Sequence, residues 1–327
     1  MRLLVLGGTV FLGRHLVQAA LERGDAVTIF TRGNCAAPPG VTSLIGDRDE
    51  GLDALRGGTW DAVVDTSGYV PRVVRQSAEL LRERVGFYAF VSSISVYPVP
   101  QEDKSETAPV LELEDPSSED VGADYGALKA ACEREVEGVY GDRALQVRSG
   151  LIAGPFDPTE RVTYWAARGL RSGEVLVGGR PERPVSLIDA RDQAIWILEM
   201  ADRGQGGTFN VQGPEIAYGH LLEASGIPEA TWVPDEFLLR QGVAPWTDLP
   251  LWLPPDEGSL NAPRDRAVAT GLRCRPVDVT MRDLADWVRS RDGVPGPQET
   301  GGRHRAPAGI SPEREAELLA AWHREGA

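Results

Sequence analysis

The stretch Leu3-Leu4-Val5-Leu6-Gly7-Gly8-Thr9-Val10-Phe11-Leu12-Gly13-Arg14-His15 decides the fold. Four apolar residues, Leu3 to Leu6, predict a short buried strand, and Gly7 and Gly8 predict a turn. A helical pattern then runs from Phe11 through Leu12, Leu16, Ala19 and Ala20 to Arg23, where Gly24 stops it. A strand, a tight glycine turn and a helix N-terminus make an anion site, because unpaired backbone N–H groups point out of the first helical turn. The next strand, Ala26 to Thr31, completes a βαβ unit about thirty residues long.

The glycines follow the spacing Gly-x-x-Gly-x-x-Gly of a dinucleotide fingerprint, with Gly7 and Gly13 in place and Val10 at the middle position. A middle glycine lets the backbone approach a pyrophosphate. The alternative is a glycine turn in an α/β protein that binds no cofactor.

The 327 residues suffice for one large domain and a smaller one, and a hydrophobic fraction of 42% supports a real core. No apolar run approaches the roughly 20 residues of a membrane span. The opening Met-Arg-Leu-Leu-Val-Leu is too short for a signal peptide, which predicts a cytoplasmic protein. Cys35, Cys132 and Cys274 are far apart and odd in number, as expected of reduced thiols, and they lack zinc spacing. His15, His220, His304 and His323 are scattered, so no metal site is expected. A net charge of −15 argues against nucleic-acid binding. Of 34 basic residues only Lys104 and Lys129 are lysines, which draws attention to both.

Further strands are predicted at Thr42–Gly46, Asp61–Asp65, Phe87–Val91 and Leu145–Arg148, with helices at Leu52–Leu55 and from Pro71 to about Val85. This alternation implies a doubly wound parallel sheet with helices on both faces, whose ligands bind beyond the carboxyl ends of the strands. Gly7, Arg32, Asp47, Thr66 and Ser93 all lie at such ends. After the second strand, Thr31-Arg32-Gly33 lacks the acidic residue that would bond a free ribose 2′-OH. Arg32 suits a 2′-phosphate instead, or is a solvated arginine.

From Gln101 to Asp120 eight acidic residues face Lys104 alone, which predicts a solvated loop. The loop leads to Tyr125-Gly-Ala-Leu-Lys129 on a helix continuing to Val139. Spacing of i, i+4 puts the phenol and the ammonium on one face, where the ammonium favours the phenolate and fits the tyrosine for proton transfer.

Beyond the sixth strand, helices are predicted at Val162–Leu170, from Asp189 or Asp192 through Leu198, and at Leu221–Ala224, Glu236–Arg240 and Val279–Val288. Strands are predicted at Pro184–Ile188 and Gly207–Val211. The proline-rich stretch Trp246 to Pro254 is read as packing, or as a pocket wall. Residues 293–310 read as a linker. Ser311 caps a final helix whose stripe Leu318, Leu319 and Trp322 docks on the same chain or on a homodimer mate.

Taken together these residues resemble the extended short-chain dehydrogenase/reductase family, also called the NAD-dependent epimerase/dehydratase family. The resemblance covers about residues 1–215. It rests on the glycine loop, Asp47, Ser92-Ser93-Ile94-Ser95-Val96-Tyr97, Tyr125/Lys129, and Leu187-Ile188-Asp189-Ala190-Arg191-Asp192-Gln193-Ala194. The form Gly-Gly-Thr-x-Phe-Leu-Gly is similar to a reductase-like branch, in which Val10 is ordinary.

The resemblance implies a Rossmann-type sheet of about seven strands in residues 1–150, with 184–215 returning to it. A smaller substrate-binding region then takes 151–183 and 216–292, followed by the linker and the 311–327 helix. It implies a catalytic set of Ser93, Tyr125 and Lys129. The dinucleotide is expected against Gly7, Gly8, Thr9, Phe11, Leu12 and Gly13, then Thr31 and Arg32, then Asp47 and Arg48. Thr66, Ser67 and Gly68 follow, with Ser92, the ribose-binding Lys129, and Gly150, Leu151 and Ile152. Where the family usually reads Arg-Pro, this chain has Arg148-Ser149. Tyr97, Tyr164 and Trp246 are expected at the substrate.

The expected activity is that of a carbonyl reductase or alcohol dehydrogenase acting on a small molecule, with NADP(H) preferred and NAD(H) the other option. The rivals are a sugar-nucleotide epimerase using the same triad, a non-catalytic dinucleotide sensor, and an RNA-binding Rossmann protein. The intact triad weighs against the sensor and the acidity against RNA.

Overall fold

The computed structural model describes residues 1–101, 103–254, 261–291 and 308–325. The chain divides into two compact units. The first comprises Met1–Ile152, Ala190–Gly213 and Ala262–Cys274; the second comprises Ala153–Asp189, Pro214–Asn261 and Arg275–Ala327.

The first unit is built on β1 (Arg2–Leu6), β2 (Ala26–Thr31), β3 (Thr42–Ile45), β4 (Trp60–Asp65), β5 (Val85–Ser93), β6 (Ala144–Ser149) and a seventh strand, Gly207–Val211. Every pairing is parallel, and the spatial order is seventh–β6–β5–β4–β1–β2–β3. Leu3, Leu4, Val5 and Leu6 are all 0% exposed, as a central strand covered on both faces requires. The helices α1 (Phe11–Glu22), α2 (Pro71–Leu81) and α3 (Tyr125–Tyr140) make the crossovers. Right-handed connections place α1 on one face and α2 and α3 on the other, because the chain winds outward in opposite directions from β1 and from β4. α1 packs beside Ala190–Arg203, and α2 beside α3. The strand order reverses between β1 and β4, so their carboxyl ends open the crevice where such sheets bind ligands.

The returning segment begins at Ala190 rather than at 184, and Ala262–Cys274 joins the first unit although it was expected in the substrate region. Its short helix, Asp265–Ala269, packs on the seventh strand, and Gln212 is hydrogen-bonded to the Ala262 carbonyl. The acidic loop is solvated only in its second half. Lys104 and Ala108 are buried, and the loop supplies polar partners at the sheet end: Asn210 donates to the Lys104 carbonyl (2.8 Å) and to Glu106 (3.1 Å).

The second unit surrounds the fully buried Trp165, Tyr218 and Trp252. The Trp165 indole and the Tyr218 hydroxyl both donate to the Pro250 carbonyl at 2.9 Å, which makes the proline-rich stretch a packing element. The final helix, Pro312–Glu325, is capped by Ser311, whose hydroxyl accepts from the Arg314 N–H at 3.2 Å. It docks on its own chain through Leu318 and Leu319, and Trp322 meets Phe237 edge-on at 5.1 Å. Of the expected linker, residues 293–307 lie outside the described residues; at 308–310 the chain is anchored by Gly309 donating to the Thr247 carbonyl (2.8 Å). Among the described residues no helix is long and apolar enough to cross a membrane.

Candidate functional site

Gly7 and Gly8 have φ of +111° and +101°, which an L side chain rarely adopts. Space is also short. A Cβ on Gly7 would lie 2.5 Å from Thr66 Oγ1, and one on Gly13 would lie 2.7 Å from the Gly8 nitrogen. Val10 is extended and immediately precedes α1, and its side chain caps no N–H. The first turn of α1 therefore keeps its donors for an anion. Phe11, the first helical residue, holds a φ of +37°, a strained value for a non-glycine residue. The Thr66 and Ser67 hydroxyls both donate to the Leu6 carbonyl, at 3.0 and 3.1 Å, and lock β4's end to β1's. Thr9 and Leu12 belong to the same loop and first turn.

Thr31 ends β2, and Arg32 follows it exposed to solvent. Asp47 lies just past β3, and its carboxylate accepts the Asp49 N–H at 3.0 Å. Arg48 is turned away from this rim. Its guanidinium grips Asp65 with both terminal nitrogens, at 2.7 and 2.8 Å, and also donates to Ser77 Oγ. Asp65 is 0% exposed and also accepts from the Tyr88 hydroxyl (2.9 Å) and the Ser67 N–H (3.0 Å). Burial opposes the Arg48 charge, but Asp65 outweighs it and holds the guanidinium's pKa above its ordinary value. Arg48 is thus placed as a buried partner of Asp65, where a direct cofactor contact was expected.

The catalytic candidates come together where β5 meets α3. Ser93 ends β5, and its hydroxyl accepts the Ser95 N–H and donates to Ser95 Oγ, both at 3.1 Å. Tyr125 opens α3. Gly126 packs so closely on the Ser95 backbone that a Cβ there would overlap its carbonyl oxygen, so the first turn of α3 abuts the turn after Ser93. One turn later Lys129, 4% exposed, donates to the carbonyls of Gly68 (2.7 Å) and Val91 (2.6 Å). Its ammonium also lies 4.5 Å from the Phe90 ring centre and 4.9 Å from that of Tyr69. Burial lowers its pKa from the usual lysine value. A Cβ on Gly68 would lie 2.5 Å from Phe90, so only glycine lets the backbone that presents this carbonyl pass so close to β5. Ser92 is buried and its hydroxyl has no hydrogen-bond partner.

Tyr97 is corrected from substrate contact to structural residue. It is 1% exposed, and its hydroxyl donates to Asn210 (2.8 Å) and accepts from Arg148 (2.9 Å). Arg148 in turn forks onto Glu133, so this polar cluster fastens α3 to β6. Ser149, in the place of the expected proline, accepts from the buried Gln193 amide at 2.7 Å. Gly150 donates to the Val211 carbonyl at 2.9 Å, and Leu151 and Ile152 follow half-buried.

Tyr164 and Trp246 belong to the second unit. The Tyr164 ring packs edge-on to Trp165 at 4.9 Å and lies under Gly309, whose missing side chain makes room for it. Trp246 stacks with Arg161 at 5.0 Å. Gly126 and Asp65 went unread in the sequence. A glycine inside the first turn of an otherwise good helix, and a carboxylate ending an apolar strand, were the signals available.

No protein-family model matches the chain, and no curated protein matches it. Solved structures do. UDP-N-acetylglucosamine 4-epimerase from Bacillus cereus is 16% identical, with 88% of this chain and 99% of that chain covered at a TM-score of 0.64. The Bordetella bronchiseptica enzyme WbmH, solved with NAD+, is 17% identical over 90% of this chain and 99% of its own, at a TM-score of 0.66. A dTDP-glucose 4,6-dehydratase from Bacillus anthracis, solved with NAD, is 14% identical over 89% and 97%, at 0.65. The chain has the Rossmann-type fold of these epimerases and dehydratases.

Proposed function

We propose that the chain is an extended short-chain dehydrogenase/reductase that transfers hydride between NADP(H) and a small carbonyl or alcohol, NAD(H) being the other cofactor option. One observation carries this reading. Lys129 is buried beneath the ends of β4 and β5, one helical turn after Tyr125, whose neighbour Gly126 packs on the Ser95 backbone just past Ser93. The glycine loop fits a dinucleotide, since its cradle is too tight for side chains and α1 keeps its N–H donors. The cofactor supplies the hydride chemistry. In the reducing direction Ser93 and Tyr125 hold the carbonyl oxygen, Tyr125 gives its proton to the developing alkoxide, and Lys129 supports the phenolate left behind. Three cysteines outside any disulfide suit a reducing cytoplasm.

Tyr125→Phe removes turnover on a carbonyl found by screening with NADPH consumption and leaves NADPH affinity within about twofold, because the phenol acts in the transition state. Lys129→Ala damages both. Wild-type turnover in Tyr125→Phe would exclude the mechanism.

The structural neighbours favour a second reading, a sugar-nucleotide epimerase with NAD. The residues speak against it. The two positions after Ser93 are Ile94 and Ser95, where dehydratases of this family carry Asp-Glu. Val185 stands where its sugar-nucleotide enzymes usually have an arginine, and Val185 is buried in a strand pair with Glu215–Ala217.

A further inference from the structure

We infer that Arg48 positions the adenine side of the dinucleotide site without touching the dinucleotide. This rests on the dinucleotide reading above and on the family resemblance, which implies that Asp47 accepts a hydrogen bond from adenine. Arg48 sits between Asp47 and Asp49, on the turn that follows β3. Its side chain is 10% exposed, and both terminal nitrogens are committed to Asp65.

The bonds form a continuous path. Arg48 holds Asp65; Asp65 accepts from the Ser67 N–H; the Ser67 hydroxyl donates to the Leu6 carbonyl, where the glycine loop begins. A second branch runs from Arg48 to Ser77 Oγ inside α2. One planar guanidinium therefore ties the β3 turn to the ends of β4 and β1 and to α2. Lysine has no such fork. On the outer side Arg72 bonds Asp49 at 2.7 Å, so the turn carrying Asp47 is gripped from within and from without. The inner grip is the stronger, because the buried pair is shielded from water and salt while the Arg72 pair is exposed. A site that bonds an adenine edge needs its acceptor fixed to within a fraction of an ångström, and such fixing comes from the residues behind it.

The test uses two variants of the full chain and two probes, adenosine 2′,5′-bisphosphate and nicotinamide mononucleotide, titrated calorimetrically. Arg48→Met binds the bisphosphate roughly tenfold more weakly, the worth of about one charge-assisted hydrogen bond. It binds the mononucleotide as wild type does. Arg48→Met combined with Asp65→Asn removes both buried charges; it recovers melting temperature but not bisphosphate affinity. An unchanged bisphosphate affinity, an equal loss for both probes, or recovery of affinity together with stability would overturn the inference and make Arg48 a structural residue only. A wild-type chain that binds NADPH while Arg48→Met binds the bisphosphate equally well refutes this inference alone. A wild-type chain that binds no dinucleotide removes the functional reading and the inference with it.

Discussion

Single residues carry most of what can be tested directly. Asp157 is 2% exposed and accepts the Thr159 N–H and hydroxyl at 2.8 and 2.9 Å. Burial pushes its carboxyl up to about 6, against the Thr159 bonds and Arg161, which lower it, while Glu160 raises it. The folded state then holds a proton that the unfolded state has released between pH 3.8 and about 6, so this contribution to stability is lost as pH rises through that window. Asp157→Asn imitates the protonated form. It raises stability at pH 8 by on the order of 3 kcal/mol, seen as a higher melting temperature, and leaves it nearly unchanged at pH 3, below the unfolded value. A gain confined to acid pH in calorimetric melts would show the sign to be wrong. Arg32→Ala, by contrast, tests the ligand. It lowers the ratio of NADPH to NADH affinity in fluorescence titrations, and equal affinities in wild type would take Arg32 out of the cofactor site. At this scale the sequence was legible where chemistry forces a residue type. Gly7, Gly13, Tyr125 and Lys129 announce themselves by spacing. Arg48 did not, because an arginine between two aspartates looks like rim, and only the fold brings Asp65 to it. Tyr97 misled for the converse reason: it sits in a recognisable motif, but its hydroxyl serves Asn210 and Arg148.

Among the elements, the parallel strands were legible because a strand covered on both faces must be an apolar run, as Leu3–Leu6 is. Their ends moved by one or two residues. The short strands Leu176–Gly178, Glu215–Ala217 and Thr231–Val233 escaped notice, since three residues establish no period. The final helix was legible from its serine cap and narrow stripe, but its strongest attachment was not. Glu315, 5% exposed, takes the Arg168 guanidinium at 2.8 Å and the Leu176 N–H at 3.2 Å. Removing residues 311–327 leaves Arg168 buried without its carboxylate and uncovers the surface under Leu318. The expected loss is roughly 3–5 kcal/mol, read as a lower urea midpoint. Glu315→Gln gives a smaller loss, because its amide oxygen still accepts. Unchanged midpoints in both would show that the helix contributes nothing.

At the scale of the whole molecule, the proposed reductase reading predicts no site for a nucleoside diphosphate. Three arginines of the second unit are already engaged, Arg183 with Asp235, Arg168 with Glu315, and Arg161 stacked on Trp246, which leaves Arg171 and Arg180 among the remaining positive charge. On that reading, calorimetric titration with UDP, GDP and dTDP gives no binding at micromolar concentrations. Binding that competes with neither cofactor would promote the epimerase. The division of the chain into interleaved segments has a consequence for its making. The first unit waits for Ala262–Cys274. A chain growing on the ribosome has by then released the first two of the three segments that build the second unit, and the second unit waits longer still, for Glu315 to reach Arg168, 147 positions earlier. The first unit can close before the second, but only after two of the second unit's three segments have been made. Arrested nascent chains of rising length should resist protease across the first unit only once residue 274 has cleared the exit tunnel, and not at 213, where the seven-stranded sheet is already spelled out.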